Sequence, residues 1–136
     1  GPRWYLDLGA TQSIQVAKGI VSAVMKAPST LKSQEIDDAQ PSLGLSLFES
    51  IRFHDTSVPV VALAPIEAHH HRLGCLVCVM RTPLGVPTGF SHFGLIATRI
   101  SERAFEEPAG SSIIDIDWVA MARAIETLRP ISRTER

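Results

Sequence analysis

The run Leu73–Met80 (LGCLVCVM) leaves few folds open to this chain. Read as a strand, it sends Leu73, Cys75, Val77 and Val79 to one side and Leu76, Cys78 and Met80 to the other. A strand apolar on both sides is covered on both sides, so it belongs in the middle of a sheet. The Pro/Gly-rich loop Thr82–Gly89 follows, with residues suited to tight turns. Beyond it Phe93, Leu95 and Ala97 alternate with Ile96, Thr98 and Ile100, and Arg99 marks where one face reaches solvent. The stretch Arg72–Ser101 therefore predicts a central pair of strands.

The remaining elements are read outward from that pair. Trp4–Leu8 alternates apolar and polar residues and is expected to be a short strand ended by Gly9. Ser13–Lys26 carries Ile14, Ala17, Ile20, Val21, Val24 and Met25 at three- and four-residue spacings, which predicts a helix capped by Thr11 or Ser13. Gly19 inside that helix points to close packing against another backbone ahead of the alternative, a weak point in the helix. Ala27–Gln40 shows no period and is expected to be an exposed loop, acidic toward its end. Pro41–Phe53 predicts a second helix with Leu43, Leu47, Phe48 and Ile51 as its buried stripe, followed by a turn at Phe53–Ser57. Val58–Ala64 is a β-branched strand whose Pro59, lacking an N–H, belongs at its start or on a sheet edge. Ile113–Ile116 reads as a short strand or as the entry to a last helix. That helix, capped by Asp115 or Asp117, carries Trp118, Met121, Ala122, Ile125 and Leu128 and stops at Pro130.

The order β-α-α-β-β-β-(β)-α predicts an α+β fold: a mostly antiparallel sheet of four to five strands with three helices. The 136 residues fit one domain, expected over 3–130 with 131–136 as a flexible tail. Gly1-Pro2 looks like the scar of a tag-removing protease, which implies excision from a longer polypeptide. The longest apolar run is far short of the roughly 20 residues of a membrane helix. A formal net charge of −1 argues against a nucleic-acid partner.

Two clusters catch the eye as chemistry. Glu67, His69, His71 and, farther along the strand, Cys75 are residue types that zinc prefers, and with an early strand start the two histidines share a face. Zinc sites of the structural kind draw on paired short spacings, though, and no second pair accompanies this one. Three histidines at a strand entrance read more simply as a solvated rim. Cys75 and Cys78 have the spacing of a redox pair, but they lie inside a buried strand, facing opposite ways, and read as reduced core thiols. That use of cysteine fits a reducing intracellular compartment. Ser91 and His92 adjoin on a strand, so alternation is expected to keep them apart. Arg123, Arg129, Arg133 and Arg136 suit a solvated helix end.

The function expected from these features is a non-enzymatic protein-interaction or self-assembly module, of which a viral structural or accessory domain is one instance. In that reading Leu76, Cys78, Met80, Phe90 and Ile96 form a sheet face covered by a second copy, giving a homo-oligomer. The loops Thr82–Gly89 and Lys32–Gln40 would be recognition edges. The alternative is a metal- or small-ligand-binding domain, or an enzyme, built on His69, His71 and His92.

Overall fold

A computed structural model describes residues 2–9, 12–36, 44–63, 74–105 and 112–128. Strand makes up 51% and helix 13% of it, which replaces the expected α+β class with a mostly β fold. The strands are β1 (Arg3–Gly9), β2 (Gln12–Ala17), β3 (Val21–Lys26), β4 (Ser46–Phe53), β5 (Thr56–Ala62), β6 (Leu76–Arg81), β7 (His92–Ala97), β8 (Arg99–Ser101) and β9 (Ser112–Ile113), followed by the helix α1 (Trp118–Thr127). They form two sheets, β8-β1-β2-β9 and β3-β6-β7-β5-β4.

Two bent strands carry the chain from one sheet to the other. β2 passes through a single 3-10 turn, Lys18–Ile20, into β3. β7 passes through Thr98 into β8, and Thr98 anchors that corner by donating its backbone N–H (2.8 Å) and its hydroxyl (3.0 Å) to the Asp7 carbonyl. β1 pairs antiparallel with β2 and β8, while β6 pairs antiparallel with β3 and β7. Followed through its pairings the path closes into a ring: β1, β2–β3, β6, β7–β8 and back to β1. β5 joins β7 in parallel and β4 joins β5 antiparallel, extending the larger sheet outward.

The central pair is where the sequence put it. Leu76–Arg81 faces Ala97–His92 residue for residue, and Val77, Cys78, Val79 and Met80 have no solvent exposure. The strand starts at Leu76, after a turn at Gly74. Its second face is covered by the same chain. Phe93 pairs with Met80, so it lies on the face of Met80 and Cys78, and its ring meets Trp118 of α1 with centroids 6.3 Å apart. Met121, Ala124, Ile125 and Leu128 join the same buried cluster as β6 and β7. Of the two caps expected for this helix, Asp115 and Asp117, it is Asp117 that accepts from Ala120 N–H, at 3.0 Å.

Both remaining predicted helices are strands, and each error has a local cause. In 13–26 the buried residues are Ser13, Ile14 and Val16 before the 3-10 turn, whereas in β3 the odd positions are the more buried. The turn shifts the alternation by one residue, so two period-2 stretches together imitate a 3.6 period. Gly19 sits in that turn, and a Cβ there would meet nothing within 4 Å, so the expected close packing is absent. In 41–53 only 44–53 is described, and Ser46–Phe53 is β4. Phe48 pairs with Val60 and Ile51 with Val58, so Glu49 and Ser50 together oppose Pro59. That bulge gives the buried Leu47 and Phe48 and the half-buried Ile51 a helix-like spacing. It also corrects the placement of Pro59, which lies within an internal strand, opposite the bulge.

The expected exposed loop after β3 is partly packed. Ala27 and Leu31 are buried, Gln34 N–H donates to the Leu47 carbonyl at 2.7 Å, and Glu49 N–H donates to the Lys32 carbonyl at 3.0 Å. This segment therefore laces along the outer edge of β4, with a bridge between Ser33 and Phe48. The β4–β5 hairpin turns on His54 and Asp55, both at positive φ (48° and 63°), as a two-residue turn of the primed kind requires.

Candidate functional site

Glu67, His69 and His71 lie outside the described residues. Cys75, the fourth member of that set, is buried (3% exposed) and desolvation raises its thiol pKa. Cys78 is sealed more completely, and burial pushes its thiol up to about 12. Neither is in a disulfide; Cys78 lies within β6 and Cys75 immediately before it, and at such buried positions neutral thiols act as small apolar groups. Among the described residues no three His, Cys, Asp or Glu side chains gather as a metal would need.

The raised Cys78 pKa makes a pH prediction. Below its ordinary value of 9.0 the thiol is protonated in folded and unfolded chains alike, and its contribution is fully present. Between 9.0 and about 12 the unfolded chain loses the proton that the folded chain keeps. The native state then binds more protons, so stability falls as pH rises. Urea midpoints should therefore drop as pH rises from 9.0 toward about 12, and Cys78→Val should flatten that slope.

The five residues expected to form an interface do not share one surface. Cys78, Met80 and Ile96 are fully buried within the single chain. Ile96 pairs with Val77, so it points away from the face of Cys78 and Met80. Leu76 and Phe90 are half-buried and retain surface. His92 is half-buried as well, with its ring 5.4 Å from that of Phe53. Ser91 Oγ lies 2.9 Å from His92 Nδ1, contrary to the expected separation. Ser91 precedes the strand, at a bend, and so escapes its alternation. The pair is exposed, and no carboxylate orients the ring among the described contacts, so it lacks the third member of a nucleophilic relay.

Two other features of the surface stand out; of these, only the loop Thr82–Gly89 beside the second was expected as a recognition edge. The first is the outer edge of β3. Ala27 N–H donates to the Cys75 carbonyl at 2.8 Å, which fixes the phase: the backbone groups of Ala23 and Met25 turn toward β6, and those of Val24 and Lys26 turn outward. No backbone partner meets that outer side among the described residues. The edge of β4 is laced, β8 has three residues and β9 has two, so β3 is the long open edge of the described fold. Val24, 41% exposed, projects from it.

The second is a groove of about 360 Å³ at the tip of the central hairpin. Ile20, Pro83, Leu84, Phe93 and Trp118 give it apolar walls, and Arg81 and Thr82 add polar groups. The loop is held in shape. Thr82 and Thr88 hydroxyls donate to the Phe90 carbonyl (3.1 and 2.7 Å), and Gly89 N–H donates to Glu126 on α1 (3.0 Å). Val86 N–H closes a turn onto the Pro83 carbonyl, with Gly85 at φ 82° in the position that needs glycine. Leu84 is thereby presented fully to solvent.

Elsewhere the charged groups act as surface clips. Lys18 lies over the Trp4 ring (4.3 Å) and pairs with Glu102 (2.8 Å), whose carboxyl it holds below the usual range. Arg99 pairs with Asp7 at 2.8 Å beside the Thr98 corner. No helix among the described residues is long and apolar enough to cross a membrane. The chain matches no protein-family model, and no curated protein matches it.

Proposed function

We propose that this chain is a protein-interaction module that self-associates by extending its larger sheet through β3. The observation that carries this reading is the open edge at Val21–Lys26, unprotected by proline and carrying a single charge, Lys26. An exposed edge of that kind is a template for another strand. The pleat restricts the pairing, because residues facing one another must lie on the same side of the sheet. An antiparallel two-fold centred on Val24 meets this condition. It sets Val24 against Val24 of the second copy and Lys26 against Ser22, so like charges do not face each other. The buried face of β6 is already covered in cis, which moves the expected self-association from that face to this edge.

A single strand pair buries little surface, so the affinity belongs at the weak end of specific association. Sedimentation equilibrium should show the mass rising toward a dimer as concentration passes through about 10–100 µM. Val24→Lys should return it to monomer by setting two ammonium groups opposite each other. Val24 is exposed, so that change should alter folding stability by less than about 0.5 kcal/mol. A monomer throughout that range, or a dimer indifferent to Val24→Lys, overturns the reading.

A further inference from the structure

We infer that the groove at the hairpin tip binds a small amphipathic anion, an apolar chain or ring ending in a carboxylate. Four stretches distant in sequence build it: Ile20 from the 3-10 turn, Arg81–Leu84 from the hairpin, Phe93 from β7 and Trp118 from α1. Its volume, about 360 Å³, lies in the range of small-molecule sites, which are mostly apolar with a few placed polar groups. At a share of about 30 Å³ for each water-sized group, it holds roughly a dozen heavy atoms.

Charge selects the anion. One N–H of the Arg81 guanidinium donates to the Gly19 carbonyl, which holds the side chain across the gap between the turn and the hairpin. Arginine has five such donors, and no carboxylate pairs with this one among the described residues. A planar cation with free donors beside apolar walls suits a carboxylate head with an apolar body, by forked hydrogen bonding. Leu84 supplies the incentive to close. Fully exposed in the free protein, it loses water contact when an apolar body lies beneath it.

Fluorescence titration tests this with decanoate as the probe and decanol as its uncharged counterpart. Trp4 lies under Lys18, away from the groove lining, so a Trp4→Phe background leaves Trp118 as the reporter. Decanoate should give a saturable change below roughly 1 mM, and decanol should bind about tenfold more weakly. Arg81→Gln should weaken decanoate about tenfold while leaving decanol unchanged, and Arg81→Lys should restore part of the difference. Leu84→Ser, at a fully exposed position that folding does not use, should weaken both probes. No saturable change, equal affinity for acid and alcohol, or an Arg81→Gln variant that binds decanoate normally would each overturn the assignment.

Discussion

Gly94→Ala should destabilise the fold by about 2 kcal/mol, although an alanine ordinarily suits a strand better than a glycine. The reason lies in the centre of the larger sheet. Gly94 pairs with Val79 of β6 on one side and Val60 of β5 on the other. A Cβ at this position would stand 2.6 Å from Val77 Cγ1 and 3.3 Å from Val60 Cγ2. Neither methyl group can swing aside cheaply, since both valines are fully buried and β-branched side chains have few rotamers. The new methyl must therefore push strands apart or force a rotamer. Denaturant unfolding of the variant measures the loss. The double variant Gly94→Ala/Val77→Ala should recover about 1 kcal/mol or more relative to additivity, because it removes the methyl in the way. Additive losses would mean that the close approach is not the cause.

Gly94 also illustrates what the sequence conceals. Within β7 its neighbours Phe93, Leu95 and Ile96 announce a buried strand, and the central pairing with β6 follows from the two-sided apolar pattern. A glycine there reads only as permissive. Its role depends on which valines cross the sheet, and β5 approaches in parallel, a pairing that local sequence does not encode.

The two lost helices have a related explanation. Periodicity reports one phase of burial along an unbroken element. The 3-10 turn at Lys18–Ile20 and the bulge at Glu49–Ser50 each reset that phase. The β-branched residues Ile14, Val16, Ile20, Val21 and Val24 were the counter-signal, since they favour strands over helices. The last helix had no such interruption, and its stripe was legible together with a cap at Asp115 or Asp117, of which Asp117 serves.

The candidate surfaces were less legible still. Leu84 and Trp118 are thirty-four positions apart and meet through the groove only because α1 returns to the hairpin. The openness of β3 is a property of strand order, and it became visible only once β6 occupied one side and no described strand the other. The histidine rim drew attention by composition. The edge and the groove contain no unusual residue at all.

Met121→Ala should cost about 2–5 kcal/mol, the largest loss expected from a single truncation on α1. Met121 is fully buried in the cluster shared with Cys78, Met80, Phe93 and Leu95. Removing its three terminal heavy atoms forfeits transfer energy and leaves a cavity between helix and sheet. Met121→Leu keeps most of the volume and should cost less than about 1.5 kcal/mol. The comparison decides how the second face of the central strand is covered. If α1 supplies the cover, Met121→Ala lowers the unfolding midpoint by the same amount at every protein concentration. Below about 10 µM, where the β3 pairing is not populated, a cover supplied by another subunit would instead make stability rise with concentration, and a helix truncation would matter little. The effect should also reach the groove. Trp118 opens the same helix and lies against Phe93, so a helix loosened at Met121 should change Trp118 fluorescence before the sheet unfolds. Coincident fluorescence and circular dichroism transitions in the variant would show instead that α1 and the sheet remain one cooperative unit.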